Sequence, residues 1–169
     1  MNKRLASSLL SLVLLLSVVG CAAPKRLADN AVAQANSWNG RMSVRVEALP
    51  PTPGPQAFSS TFELQGDPTQ GQLRFYTPLG STAAAIDWSP QQAQLQAGSE
   101  IRIFNNIAEL IESVLGTPVP VEALFAWLAG KQLSLDGWQV DQSQFASGKI
   151  TARRINPAPE AEIRVLLEP

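Results

Sequence analysis

The sequence lacks the side chains on which many catalytic and metal-binding sites depend. Its 169 residues contain no histidine and one cysteine. Without His, the chain cannot build a Ser-His-Asp or Cys-His catalytic arrangement or any His-ligated zinc or iron site. A single Cys forms neither an intramolecular disulfide nor a Cys-rich metal site. The length allows one ordinary domain.

Charge is also scarce. Charged residues make up 16% of the chain and apolar residues 45%, whereas about a quarter of a typical soluble domain is charged. The apolar content can support a core, and the low charge suggests that some apolar surface faces a partner. The 13 Lys and Arg against 14 Asp and Glu give no basic field for nucleic acid, so we expect no nucleic-acid partner.

The residues that remain offer little other catalytic chemistry. The sequence contains no Gly-rich phosphate loop, so it gives no indication of ATP or GTP hydrolysis. Glu109 and Glu112 are three apart on a predicted helix, where a solvated face is favoured over a paired-carboxylate site. Ser81 has no His to activate it, although Lys131 and Lys149 leave a Ser-Lys pair open in principle. We expect no enzymatic activity, no metal and no cofactor.

The first twenty residues have the pattern of a secretory signal peptide. Lys3 and Arg4 give a positive start, and residues 5–19 follow without a charge and are rich in Leu, Val and Ser. A small residue, Gly20, closes the segment, as is typical before a cleavage site. A transmembrane anchor is the alternative, but it needs about 20 apolar residues, and this stretch is shorter. We expect residues 1–20 to be removed.

The only Cys of the chain follows this segment directly. Val18 at position −3, Gly20 at −1 and Cys21 at +1 resemble the lipobox of bacterial lipoproteins. The resemblance implies that Cys21 becomes the acylated N-terminus of the mature protein. Ala22 at +2, where an Asp would favour retention at the inner membrane, implies sorting to the outer membrane. An ordinary cleavage site with an unrelated Cys is the alternative.

The mature chain from Cys21 has its own charge balance. Without Lys3 and Arg4 it carries 11 positive and 14 negative residues, a net charge of −3. This balance predicts no attraction to anionic lipid headgroups, so we expect anchoring to come from the acyl chains, at about 0.8 kcal/mol per buried CH₂. We expect residues 21–26 to form a tether and residues 27–169 a single domain.

Hydrophobic periodicity predicts strands over most of this domain. Helical spacing from Leu27 predicts a first helix to about Ser37, and Asn39-Gly40 is expected to end it. Four prolines make residues 49–56 a connecting loop, because Pro cannot donate to a sheet ladder. Apolar residues alternate with polar ones in several short runs, as in an antiparallel meander. These runs cover residues 42–48, 58–64, 73–75, 84–88, 93–97 and 101–103.

The period changes after Asn106 and predicts two helices. Apolar residues recur at i, i+3, i+4, i+7 and i+8 from Ile107 to Leu115. Asn106 can cap the amide of Glu109, and Gly116 can end the helix. Pro120 can occupy the first turn of a second helix that ends at Gly130. Alternation then returns at residues 138–140, 150–155 and 163–167. The number of strands near the C-terminus stays open.

Four segments follow the lipobox in order and span most of the mature chain. They are Trp38-Asn39-Gly40-Arg41, which opens the first strand, residues 58–66, the loop Thr77-Pro78-Leu79-Gly80-Ser81-Thr82, and residues 120–130 with their Trp-Leu-x-Gly helix end. Together with the lipobox they resemble the LolB family of outer-membrane lipoprotein receptors. The resemblance implies an α+β fold, an unclosed antiparallel β-barrel (half-barrel) with helices covering an apolar concavity.

The resemblance also implies a function and its partners. The family receives acylated lipoproteins from a soluble periplasmic carrier (LolA-like) and releases them into the inner leaflet of the outer membrane. The expected partners are therefore that carrier, acylated lipoprotein cargo and outer-membrane phospholipid. The expected protein is a lipid-anchored monomer that faces the periplasm. Since no nucleotide motif is present, transfer is expected to run toward higher affinity.

The same resemblance assigns roles to residues. Leu79, flanked by Pro78 and Gly80, matches a Leu that assists membrane insertion in the family; a hairpin tip folded back onto the core is the alternative. We expect a set of apolar residues to line an acyl-chain cavity, although the same residues would also serve a packed core. The set is Met42, Val44, Val46, Phe58, Phe62, Leu64, Phe75, Ile86, Trp88, Leu110, Ile111, Leu124 and Leu128.

Two other functions fit the same sequence. A structural or assembly lipoprotein would bind another envelope protein and carry no lipid. A third alternative is a lipoprotein that binds glycolipids or phospholipids. A filled interior would favour the scaffold, whereas an open apolar interior would favour a lipid ligand.

Overall fold

A computed structural model describes residues 36–48, 54–115 and 118–168. The predicted signal peptide, Cys21, the tether and nearly all of the predicted first helix lie outside the described residues. So do Gly116 and most of the Pro-rich loop. None of the helices in the described ranges is long and apolar enough to cross a membrane.

The described chain consists of nine strands, two helices and one 3₁₀ turn. Their bounds are β1 Ser37–Val46, β2 Gln56–Gly66, β3 Gly71–Tyr76, β4 Thr82–Trp88, β5 Ala93–Ala97, β6 Glu100–Phe104, α1 Ile107–Leu115, α2 Val121–Leu128, β7 Trp138–Asp141, the 3₁₀ turn Phe145–Ser147, β8 Lys149–Arg154 and β9 Ala161–Leu167. Each predicted strand and both helices of the central and C-terminal parts are confirmed.

All nine strands form one antiparallel sheet with the order β6-β5-β4-β3-β2-β1-β9-β8-β7. The first six strands follow one another as a meander, and β9 then pairs with β1 to join the C-terminal strands to the sheet. Among the described residues β6 and β7 are the two edges, so the sheet is unclosed. The predicted fold class, an α+β open half-barrel, is confirmed.

Alternating side chains give the sheet an apolar inner face and a polar outer face. In β1, Met42, Val44 and Val46 are buried while Arg41 and Arg45 are exposed. The same alternation holds in β9, because Ile163 pairs with Val44 and is also buried. The inner face therefore packs against the helices, and the outer face meets solvent.

The prediction that Asn39-Gly40 breaks a helix is wrong, whereas the expectation that Trp38-Asn39-Gly40-Arg41 opens the first strand is confirmed. Both residues lie inside β1, with Asn39 opposite Glu63 and Gly40 opposite Phe62 on β2. Asn-Gly is a common turn signal, but here Gly40 has φ +152° and passes close to the carbonyl oxygen of Leu166 on β9. The glycine permits this close strand contact instead of a turn.

Helix α1 begins where the sequence indicates, whereas Pro120 is the N-cap of α2 and not part of its first turn. The Asn106 side chain accepts a hydrogen bond from the Glu109 amide at 2.9 Å, and the Glu109 carboxylate accepts one from the Asn105 amide at 3.0 Å. The predicted cap by Asn106 is therefore present, and Glu109 in turn caps the amide of the residue before Asn106. Helix α2 starts directly after Pro120, and it contributes Phe125, Trp127 and Leu128 to the core.

Candidate functional site

An apolar cavity of about 390 Å³ lies between the inner face of the sheet and the two helices. Strands β1 to β5 and β9 supply one wall, and α1, α2 and the segment before α2 supply the other. Its lining consists of Met42, Val44, Val46, Gln56, Ala57, Phe58, Leu64, Leu73, Phe75, Ala84, Ile86, Trp88, Leu95, Ala97, Ile107, Leu110, Ile111, Val114, Leu115, Val119, Val121, Leu124, Phe125 and Ile163.

The lining is chemically uniform. Gln56 is its one polar side chain, and no charged side chain of the described residues lines it. A polar ligand would lose its hydrogen bonds to water and regain few inside, which costs several kcal/mol in an apolar site. A hydrocarbon chain loses no hydrogen bonds on entry. The cavity volume falls in the range of about 300–1,000 Å³ that is common for small-molecule sites.

Aromatic side chains fill one end of the cavity. The rings of Trp88 and Phe125 lie 6.2 Å apart and those of Trp38 and Phe125 5.6 Å apart, both edge-on. The indole N–H of Trp88 donates to the Asp67 carbonyl oxygen at 3.0 Å, which satisfies the ring's polar atom. Trp38 and Trp88 come from the start of β1 and the end of β4, so this end of the sheet is packed.

The opposite end of the cavity is open, and we call it the mouth. Phe58 and Val114 line the cavity yet remain 42% and 41% exposed. Gln56, Ala57 and Ala97 of the lining are exposed as well. These residues come from the start of β2, the end of β5 and the end of α1, which places the mouth at the end of the sheet away from Trp88.

The loop Thr77–Ser81 lies at this same end. Adjacent strands run antiparallel, so the start of β2, the end of β3 and the start of β4 share one end of the sheet. Three hydrogen bonds hold the loop: Thr77 N–H to Ser81 O, Gly80 N–H to Thr77 O, and Ser81 N–H to Thr77 Oγ1. Leu79 at its tip is 94% exposed. The alternative of a tip folded back onto the core does not match this exposure.

The structure brings eleven of the thirteen predicted cavity residues together around one cavity. Phe62 and Leu128 are the exceptions. They are 0% and 1% exposed and lie in the packed core outside the lining, because alternation predicts the face of a residue and not its depth. Further lining residues, such as Leu73, Leu95 and Ile163, carry the same alternation signal and could have been included on that basis. The role of the lining in acyl binding stays a prediction.

A second cavity, of about 670 Å³, lies on the outer face at the mouth end, and we call it the arginine groove. No pattern in the sequence indicates this groove. Arg45, Arg153 and Arg164 line it together with Glu162. Val44, Ala57 and Phe58 line both cavities, so the apolar cavity and the groove adjoin.

Glu162 holds two of these arginines. Its carboxylate accepts hydrogen bonds from Arg153 Nε and, at 2.7 Å, from Arg164 Nη2. Desolvation opposes ionisation of Glu162, but the hydrogen bonds and charges of the two arginines lower its pKa overall. Glu162 is therefore an anion that joins β8 and β9 across the outer face.

No group of three or more His, Cys, Asp or Glu side chains in the described part of the chain could hold a metal ion. The apolar lining supports hydrocarbon binding in the cavity between the sheet and the helices.

Comparison with known proteins identifies relatives of this chain. A family model described as outer membrane lipoprotein LolB matches residues 34–157. The chain belongs to the LolB family. The match covers β1 through β8, both helices, the apolar cavity's strands other than β9, and the Leu79 loop.

Individual LolB proteins match over most of this chain. The outer-membrane lipoprotein LolB of Bordetella petrii is 26% identical over 88% of this chain and 85% of its own length. That of Dechloromonas aromatica is 27% identical over 97% and 95%. That of Azoarcus sp. strain BH72 is 31% identical over 74% and 72%. LolB membership supports a role in lipoprotein localisation at the outer membrane.

Proposed function

We propose that this LolB-family protein accepts the acyl chains of lipoproteins in its apolar cavity and passes them into the inner leaflet of the outer membrane. The donor would be a soluble periplasmic carrier of the LolA type. The observation that carries the proposal is an apolar cavity whose mouth lies at the same end of the sheet as the exposed Leu79.

The energetics of an acyl chain make such a cavity necessary. Exposing one chain of about 16 carbons to water costs about 12 kcal/mol, at about 0.8 kcal/mol per CH₂. An acylated protein therefore cannot cross an aqueous space unaided at a useful rate. Transfer without nucleotide requires that the cavity bind the chain more strongly than the carrier does and less strongly than a bilayer does.

In this proposal the loop and the anchor have separate roles. Leu79, held between Pro78 and Gly80, would touch the bilayer and open a path for the chain that leaves the mouth. Cys21 would carry the acyl groups that attach the mature protein to the outer membrane, facing the periplasm. The position of the loop beside the mouth supports the first role, and the lipobox pattern supports the second.

The cavity part of the proposal is tested by blocking the mouth. Ala97 lines the cavity at its mouth, and an Ala97→Trp side chain would occupy that opening. We expect the variant to bind a fluorescent fatty acid at least about tenfold more weakly, equivalent to about 1.4 kcal/mol. The matched control is Gln96→Trp, because Gln96 is the next residue of β5, is exposed and does not line the cavity.

Three outcomes would change the proposed function or the proposed binding site. Absence of fatty-acid binding in the folded parent protein would favour the structural or assembly lipoprotein that carries no lipid. Glycolipid or phospholipid recovered by mass spectrometry from the purified protein, with no acylated-protein binding, would favour the third alternative. Equal binding by the parent and the Ala97→Trp variant would place the ligand outside this cavity.

A further inference from the structure

The arginine groove gathers three guanidinium groups from strands that are far apart in the sequence. Arg45 on β1 lies opposite Glu162 on β9, and Glu162 lies opposite Arg153 on β8. Arg164 is two residues further along β9 and so shares the outer face with Glu162. Pairing of β9 with β1 therefore brings three arginines around one carboxylate.

The carboxylates of the groove leave donor groups of these arginines free. Arg45 donates through Nε to Glu47, and Arg153 and Arg164 share Glu162. Each guanidinium carries five N–H donors, so each keeps several beyond these contacts. The three side chains are 55%, 57% and 61% exposed, and their remaining donors can reach a ligand.

The surroundings of the groove favour an anion. Its acidic side chains are Glu47, Glu160 and Glu162, against Arg45, Arg153, Arg164 and the buried Arg154. In the next row of the sheet, Arg41 and Lys149 flank Leu166 on the outer face, and both are exposed. Asp141 on β7 lies opposite Thr151, close enough to Arg153 for that charge to help lower its pKa. The cations near the groove thus outnumber the acids.

The position of the groove indicates which anion it meets. It lies at the mouth end, shares Phe58 with the apolar cavity, and is bordered by Ile155 of the β8–β9 hairpin, which is 50% exposed. The same end carries Leu79. When Leu79 touches the hydrocarbon of a bilayer, the groove at the same end lies in the headgroup layer. The anions of that layer are phosphates, and the planar guanidinium of arginine matches the geometry of a phosphate.

We propose that the arginine groove binds the phosphate of an anionic phospholipid at the membrane surface. Bound there, the headgroup would hold the mouth against the bilayer while Leu79 enters it. The orientation rests on the proposed function, but binding of the phosphate does not depend on the cavity accepting acyl chains.

The test measures sedimentation with vesicles of phosphatidylcholine alone and of phosphatidylcholine mixed with phosphatidylglycerol. The protein lacks residues 1–21, which leaves the single described sheet and its core intact and removes the covalent anchor. We expect stronger binding to the mixed vesicles. Arg45→Gln and Arg164→Gln should each weaken that binding about fivefold, since one cation near an anionic surface contributes about 1 kcal/mol. Both side chains are on the surface, so the fold should persist.

Arg74→Gln is the matched control. Arg74 lies on the outer face of β3, is paired with Asp87 at 3.5 Å, and is outside the groove. Equal weakening by Arg74→Gln would overturn the proposal, because binding would then follow total charge. Unchanged binding of the two groove variants to mixed vesicles would overturn it as well.

Two further experiments complete the test. The first distinguishes a lipid phosphate from free phosphate, and the second distinguishes failure of the groove proposal from failure of the acyl-cavity proposal. Soluble short-chain phosphatidylglycerol should compete with the vesicles, whereas competition by inorganic phosphate alone at equal concentration would contradict a lipid ligand. The groove variants should bind a fluorescent fatty acid as the parent does. Failure of fatty-acid binding with retained vesicle binding would reject the acyl cavity and leave the groove proposal standing.

Discussion

Leu79 is the most exposed large apolar side chain of the described residues, at 94%. Burial of a leucine side chain stabilises a protein by about 1.5–3 kcal/mol, so this position gives up that contribution to folding. The loop that presents it is fixed by its own hydrogen bonds and by Gly80, whose φ of +82° suits glycine. This exposure leaves the side chain available for the membrane contact that we propose for Leu79.

We predict that Leu79→Glu separates acyl binding from membrane insertion. Because the side chain is 94% exposed, stability should change by less than about 0.5 kcal/mol and fatty-acid binding should stay unchanged. Release of bound cargo into vesicles should fall at least about tenfold, because a carboxylate resists entry into hydrocarbon. Fluorescent fatty-acid binding and transfer to vesicles measure the two steps.

The control for this variant is Leu133→Glu. Leu133 is another exposed leucine, 42% accessible, and belongs to neither the loop nor the cavity lining. It should leave both readouts unchanged. Loss of fatty-acid binding in Leu79→Glu would contradict a separate role for the loop, and equal loss of transfer in both variants would point to a general effect of surface charge.

Glu162 should make the stability of the folded protein depend on pH. The pKa of Glu162 is lowered in the folded protein, where desolvation is outweighed by Arg153 and Arg164. Its stabilising contribution is therefore present above the ordinary carboxyl pKa of about 4.3 and is lost as pH falls through the lower folded value. Urea unfolding of the parent and of Glu162→Gln measures this. The parent should lose more stability than the variant on acidification. Parallel curves of unfolding free energy against pH would contradict a stabilising role for the ionised Glu162.

At the scale of elements, period-two alternation predicted the strands because each presents one apolar face to the helices. Alternation could not show that β1 continues through Asn39-Gly40, since the carbonyl of Leu166 that packs there comes from β9, more than 120 residues later. Alternation also does not predict how deeply a residue is buried. Phe58 and Phe62 lie on the same face of β2, yet Phe58 is 42% exposed and Phe62 is 0% exposed. Their difference depends on how far each lies from the mouth.

Gly40 provides a test of β1. An added Cβ would collide with the Leu166 carbonyl oxygen, and φ is +152°. We predict that Gly40→Ala destabilises the protein by about 3 kcal/mol, combining backbone strain with overpacking. Gly80 also has a positive φ, but an added Cβ there would meet open space. Gly80→Ala should therefore destabilise the protein by only about 1 kcal/mol. Equal midpoints in urea would contradict the close approach of β1 and β9.

At the scale of the whole molecule, the sequence indicated the fold class and most of the cavity, but not the arginine groove. The net charge of −3 for the mature chain predicted no attraction to anionic lipid. A net charge does not record position, and Arg45 is more than 100 residues from Arg153 and Arg164. They meet because β9 pairs with β1, and this pairing between distant strands leaves no local pattern in the sequence.

A two-step transfer assay without nucleotide would show whether this protein passes acylated cargo from the carrier to a membrane. A LolA-type carrier loaded with a triacylated lipoprotein is mixed with this protein lacking residues 1–21, and vesicles are then added. We predict that cargo moves first to this protein and then to the vesicles, that Ala97→Trp blocks the first step, and that Leu79→Glu blocks only the second. Cargo that stays on the carrier, with both proteins folded, would contradict the proposed transfer.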